Sequence, residues 1–171
     1  VNGYIGGFEE KLAISDIFVF EDSDYYFSIV EEDTGLGAFE LLVNPYTGYV
    51  YPEMGPNMMW NTKYGMHSSA DYGIMNGRGM MGRYSYQDPA TLLNDSAQRN
   101  TLTFSEALGI AEDYLQNGYT VSGEGHEFYG YYTFHTQLNG KEAGMMSVNG
   151  FTGDVWYHTW HGELSEVISG H

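Results

Sequence analysis

Apolar and polar residues trade places along this chain with two different periods. Ile17, Val19, Tyr25, Phe27 and Ile29 follow a two-residue alternation in places, which predicts β-strands across 17–33. Val43 closes another apolar strand and Val50 opens the next, with Asn44-Pro45-Tyr46-Thr47-Gly48 between them. An Asn side chain that accepts from the backbone two residues on, a Pro that pre-sets φ, and a Gly that re-enters a strand through positive φ together predict a hairpin with a type I core. From residue 104 the period lengthens. Phe104, Ala107, Leu108, Ala111, Tyr114 and Leu115 recur at helical spacing, Thr103 with Glu106 forms a capping box, and Asn117-Gly118 supplies a stop.

The hairpin is written twice. Val43-Asn44-Pro45-Tyr46-Thr47-Gly48-Tyr49-Val50-Tyr51 and Val148-Asn149-Gly150-Phe151-Thr152-Gly153-Asp154-Val155-Trp156 share the pattern V-N-x-aromatic-T-G-x-V-aromatic, 105 positions apart. Asn44, Thr47 and Gly48, like Asn149, Thr152 and Gly153, are its structural turn residues. The same offset carries Phe27 and Ile29 onto Tyr132 and Phe134, and Ala38 onto Ala143. A repeat resets the whole fold assignment. The fold class it predicts is α+β: two units, each a helix plus an antiparallel three-stranded meander. Unit 1 spans 1–53, a connecting segment spans 54–100, and unit 2 spans 101–171. Unit 1 keeps only Phe8 to Ala13 as a helical stub. It therefore presents an open sheet face, to be covered by unit 2, the connecting segment or a neighbouring molecule.

The run "LTFSEALGIAEDYL" followed by strands and "VNGFTGDVW" resembles the PepSY domain, whose pattern is an early helix with an Ala-x-x-x-Ala-like face and a terminal hairpin of (D/N)-x-x-T-G-x-V type. The resemblance covers roughly 102–160, and 17–53 less completely. It implies an extracytoplasmic, non-catalytic module, associated in some members with inhibiting or chaperoning secreted peptidases. It brings no catalytic residues.

Composition narrows the partners. The net charge of −17 disfavours nucleic acid and anionic membrane surfaces. No apolar run is long enough for a membrane span, so membrane insertion is not expected. With no cysteine there is neither a disulfide framework nor thiolate chemistry. Acidic, Tyr-rich and Lys-poor composition, with Val1 as a first residue that suits processing or trimming, points to an extracytoplasmic setting: secreted, periplasmic or cell surface. Sixteen tyrosines and three tryptophans suggest contact surfaces beyond a core.

The connecting segment stands apart. Residues 54–88 hold seven of the nine methionines, and Lys63, Arg78 and Arg83 outweigh Asp71 and Asp88, so the rest of the chain carries −18. Two readings stay open for these methionines. As adaptable packing residues they form, with Met58, Met59, Trp60 and Tyr64, an interface. As soft thioether ligands, Met66, Met80 and Met81 with the imidazole of His67 suit copper, with His158 and His161 joining in an H-x-x-H spacing. Calcium is the lesser metal alternative, drawn from Glu21, Asp22, Asp24, Glu31, Glu32 and Asp33, which lack EF-hand spacing and read first as solvated strand ends. His126 and His135 read as satisfied sheet positions.

No G-x-S-x-G, H-E-x-x-H or phosphate loop is present, so an enzyme is not expected. The leading expectation is a non-enzymatic secreted or cell-surface interaction protein. It would assemble with itself, as an oligomer or filament, or with another secreted protein, through the connecting segment and the open sheet of unit 1. A copper-binding protein and a regulator of a secreted peptidase are the alternatives.

Overall fold

The strands do not stay in two separate units. In the structure, a computed structural model that describes residues 1–66 and 99–169, they form one nine-stranded sheet. Its elements in chain order are α1 (Asn2–Ile5), β1 (Leu12–Phe20), β2 (Tyr25–Glu31), β3 (Gly37–Val43), β4 (Val50–Pro52), α2 (Pro56–Met59), α3 (Phe104–Tyr114), β5 (Tyr119–Phe128), β6 (Tyr131–Leu138), β7 (Lys141–Asn149), β8 (Val155–Tyr157) and β9 (Leu164–Ser169). The order across the sheet is β8-β7-β6-β5-β3-β2-β1-β9, with β4 hydrogen-bonded to β3 off that path. Every pairing is antiparallel except β3 with β5, which meet in parallel at Gly37 and Phe128.

This corrects the expectation of an α+β fold built from two helix-plus-meander units. The described residues hold nine strands against three short helices. The physical reason lies at β3. Its partner β4 covers only Leu41–Val43, so the start of β3 would present free backbone groups; β5 meets it at Gly37, and the side chains of Asn61 and Asn57 take up the Ala38 carbonyl and the Glu40 amide and carbonyl. A Cβ at Gly37 would lie 2.4 Å from the Phe128 ring, so the junction requires glycine there. The stub expected at Phe8 to Ala13 is also wrong. Leu12 and Ala13 open β1, paired with Glu31 and Val30, and the short helix lies earlier at Asn2–Ile5.

The repeat itself survives inside the larger sheet. Adding 105 to β1–β4 gives 117–125, 130–136, 142–148 and 155–157, which overlap β5, β6, β7 and β8 in turn. The two hairpins match bond for bond. The Asn44 side chain accepts from the amides of Tyr46 (3.1 Å) and Thr47 (3.0 Å), and the Gly48 amide closes onto the Asn44 carbonyl (2.9 Å). The Asn149 side chain accepts from Phe151 (2.9 Å) and Thr152 (3.0 Å), and Gly153 closes onto the Asn149 carbonyl (3.0 Å). Gly48 and Gly153 sit at φ 69° and 76°.

Strand alternation sorts side chains between two outer faces and one seam. On one outer face Ile29, Phe39 and Leu41 pack against Ile5, Met58 and Tyr64. The face predicted to be open is therefore covered, by α1 and by the start of the connecting segment. On the other outer face Tyr132, Phe134, Met146 and Val148 pack under Ala107 and Ala111 of α3. That helix starts at a formed capping box between Thr103 and Glu106. The sheet folds over so that the inner sides of its halves meet: Phe18, Phe20, Tyr26 and Leu42 cluster with Met145. Phe18 of β1 lies 4.8 Å from the His135 ring of β6, and Asp16 of β1 reaches His126 of β5 at 3.1 Å.

Glu31 fastens the connecting segment to both halves. Its carboxylate takes Lys63 Nζ (2.5 Å), the hydroxyls of Tyr64 (2.7 Å) and Tyr129 (2.8 Å), and Thr34 Oγ1 (2.7 Å). These donors outweigh burial and hold its pKa below the usual carboxylate value.

Candidate functional site

Chemistry concentrates in the seam. The inward positions of β6 are Tyr131, Thr133 and His135; those of β7 are Met145, Ser147 and Asn149; and β3 contributes Glu40. Glu40 is fully buried. Its carboxyl group receives the hydroxyls of Tyr26, Tyr131 (2.9 Å) and Thr133 (2.9 Å). Thr133 and Ser147 hydroxyls lie 3.0 Å apart, and Ser147 Oγ lies 2.9 Å from His158 Nε2. His158 Nδ1 faces Glu53 Oε1 at 3.8 Å, and that oxygen accepts from Trp160 Nε1 at 3.1 Å. A hydrogen-bonded chain thus runs from Glu40 through Thr133 and Ser147 to His158, whose Nδ1 faces Glu53 without a hydrogen bond.

The 105-residue offset relates several residues of the seam to one another. Tyr26 answers Tyr131, Ser28 answers Thr133, and Glu53 answers His158. Both tyrosines of the first pair donate to the same Glu40.

Ser147, His158 and Glu53 have the side-chain types of a nucleophile, a base and an orienting acid. Their electrostatics differ from that assignment. Burial, then the neighbouring Glu40, pushes Glu53 up to about 9, so it is a neutral acid at pH 7. Burial, then His161, pushes His158 down to about 3, so its imidazole is neutral. Burial likewise outweighs the hydroxyl donors and raises Glu40. A neutral acid cannot stabilise an imidazolium. Access is also closed: Ser147 and Glu53 are 0% exposed and His158 is 1% exposed. The arrangement is thus closed to solvent and links β3, β6 and β7.

The residues singled out from sequence are scattered by the fold. Met58 and Tyr64 are core residues at 1% and 0% exposure, so the expectation that they form an interface is corrected. Both point into the cluster beneath α1, because the Glu31 contacts draw this segment onto the sheet. Met59 is exposed, and Trp60 is half-buried with its carbonyl against Gly130. Met66 is exposed, whereas His67, Met80 and Met81 lie outside the described residues. His158 and His161 do not share a helix face: one is sealed against Ser147, the other stacks on Phe20 at 4.1 Å.

Among the described residues no group of three or more His, Cys, Asp or Glu is placed to hold a metal. The acidic residues proposed for calcium are dispersed. Asp24 takes the Asn44 amide at 3.1 Å and the Tyr51 hydroxyl, and Glu31 is engaged with Lys63.

Ten large apolar side chains are exposed among the described residues, five of them between residues 46 and 66. Tyr46, Tyr49, Met54, Met59 and Met66 are all exposed, at 89%, 68%, 61%, 46% and 55%. All five lie in the stretch 46–66. Tyr49 stacks beside Tyr51 at 5.8 Å, and the exposed Trp156 lies against Gly55, 3.2 Å from where a Cβ would stand. Within that stretch Glu53 is buried and Lys63 is paired, so it adds no net charge to a strongly acidic chain. Comparison with known proteins finds no matching family model, no matching curated protein and no matching solved structure.

Proposed function

We propose that this chain is a non-enzymatic interaction protein of an extracytoplasmic setting, and that it self-associates through the surface of residues 46–66. One observation carries the reading: large apolar side chains stand exposed on a stretch of no net charge, on a chain of net charge −17. Aromatic and methionine side chains are enriched at protein interfaces, and Met adapts to irregular partners. Elsewhere two copies repel each other, so close approach is favoured where charge is absent and apolar area can be buried. The sealing of the seam hydroxyls, imidazole and carboxyls supports binding rather than catalysis.

Sedimentation velocity over a hundredfold concentration range in physiological salt tests it. The expected result is a concentration-dependent shift to larger species that Tyr46→Ser with Tyr49→Ser abolishes. A strict monomer at the highest concentration, or an association indifferent to both substitutions, contradicts the proposal.

A further inference from the structure

We propose a second binding site, for a quaternary ammonium group of the choline type, in the groove at the C-terminal end of α3. The groove has a volume of about 640 Å³ and is lined by Tyr114, Tyr119 and Tyr157 together with Asp113, Gln116 and Asn117. It is distinct from residues 46–66, so either assignment can fail without the other.

Three features favour an organic cation. The first is the aromatic lining. Tyr114 is half exposed, Tyr119 and Tyr157 are partly buried, Tyr157 against the core beneath α3, and all three rings line the groove. Aromatic faces attract cations through the ring quadrupole, and such cages suit alkylated ammonium groups. The second is the end of α3. The chain leaves the helix in an extended conformation at Leu115, ψ 143°, and no basic residue stands in the last turn. The final carbonyls therefore direct the negative end of the helix dipole toward the groove, beside Asp113. The third is partial preorganisation. The Tyr157 hydroxyl lies 3.3 Å from Thr136 Oγ1, and it passes so close to Gly144 that a Cβ there would lie 2.9 Å away.

The same features select among cations. A divalent metal ion requires several carboxylate or carbonyl ligands, and only one carboxylate lines the groove. A primary ammonium is strongly hydrated and needs acceptors for each N–H. A quaternary ammonium carries no N–H and meets ring faces through its methyl groups, with Asp113 and the helix end supplying charge.

Titration followed by NMR, reading the amides of residues 113–119 and 157, tests the site in the intact chain. Choline and tetramethylammonium are expected to give saturable shifts confined to this groove. The neutral isostere 3,3-dimethyl-1-butanol should bind at least about tenfold more weakly, because it lacks the charge. Tyr114→Leu and Asp113→Asn should each weaken choline binding several-fold while the remaining spectrum stays unchanged. Absence of saturable shifts, equal binding of the neutral isostere, or tighter binding of an N-acetyl-lysine amide than of choline would overturn the assignment.

Discussion

Replacing Glu53 with Gln tests the sealed seam through the pH dependence of stability. In the folded chain burial and Glu40 raise the Glu53 pKa from 4.5 to about 9. Between those values the folded state holds a proton that the unfolded state has released. Stability attached to this group is complete below pH 4.5 and is lost as pH rises toward 9. The slope is about 1.4 kcal/mol per pH unit for one proton, so the loss between pH 5 and pH 7 is about 3 kcal/mol. Two histidines act in the opposite sense. Burial lowers His158 to about 3 and His135 to about 4, both from 6.5. Their contributions are complete above pH 6.5 and are lost as pH falls through the folded values. Glu40, also raised by burial, acts in the same sense as Glu53, so stability should decline below pH 4.5, where the histidines dominate, and above pH 6.5, where the acids do.

In Glu53→Gln the alkaline limb loses its ionising group, and Glu40 loses the neighbour with which it shares the seam. Urea unfolding followed by tryptophan fluorescence at pH 6.5, 7.5 and 8.5 measures the slope in both proteins. The variant should be shallower by up to about 1.4 kcal/mol per pH unit, the value for one proton, whatever the absolute cost of the substituted amide. Equal slopes would mean that Glu53 ionises freely in the folded chain and that the seam is open to water.

Three further substitutions probe the frame and the surface. Gly37→Ala places a Cβ against the Phe128 ring at the junction of the half-sheets, and should cost about 1–3 kcal/mol in urea unfolding. Asn149→Ala strips the acceptor from the amides of Phe151 and Thr152 beneath α3. It should cost about 1–2 kcal/mol, and Asn44→Ala less, because the amides of Tyr46 and Thr47 can turn to water. Tyr46→Ser with Tyr49→Ser should leave the melting temperature within a few degrees of the parent, since both rings are exposed.

Local chemistry was the most legible part of the fold. The Asn44 and Asn149 turns, the positive φ at Gly48 and Gly153, and the Thr103–Glu106 capping box depend on residues a few positions apart, so a short window of sequence contains their cause. The merging of the strands into one sheet was not legible. It turns on Gly37 meeting Phe128, two residues far apart in the chain, and on the shortness of β4. The seam was half visible. Polar residues at the inward positions of β6 and β7, and the offset pairing of Tyr26 with Tyr131 and Glu53 with His158, were present in the sequence. Their meaning depends on the halves facing each other. The methionine segment misled because Met58 and Met59 are neighbours in sequence yet point in opposite directions, one into the core and one to solvent.

Hydrogen–deuterium exchange of the intact chain at low and high protein concentration bears most directly on the claim that function resides on the 46–66 surface while the seam stays closed. Concentration-dependent protection should appear in peptides spanning 46–66, and peptides from β6 and β7 should be strongly protected at both concentrations. Protection that appears elsewhere on the sheet, or β6 and β7 peptides that exchange readily in the monomer, would contradict it.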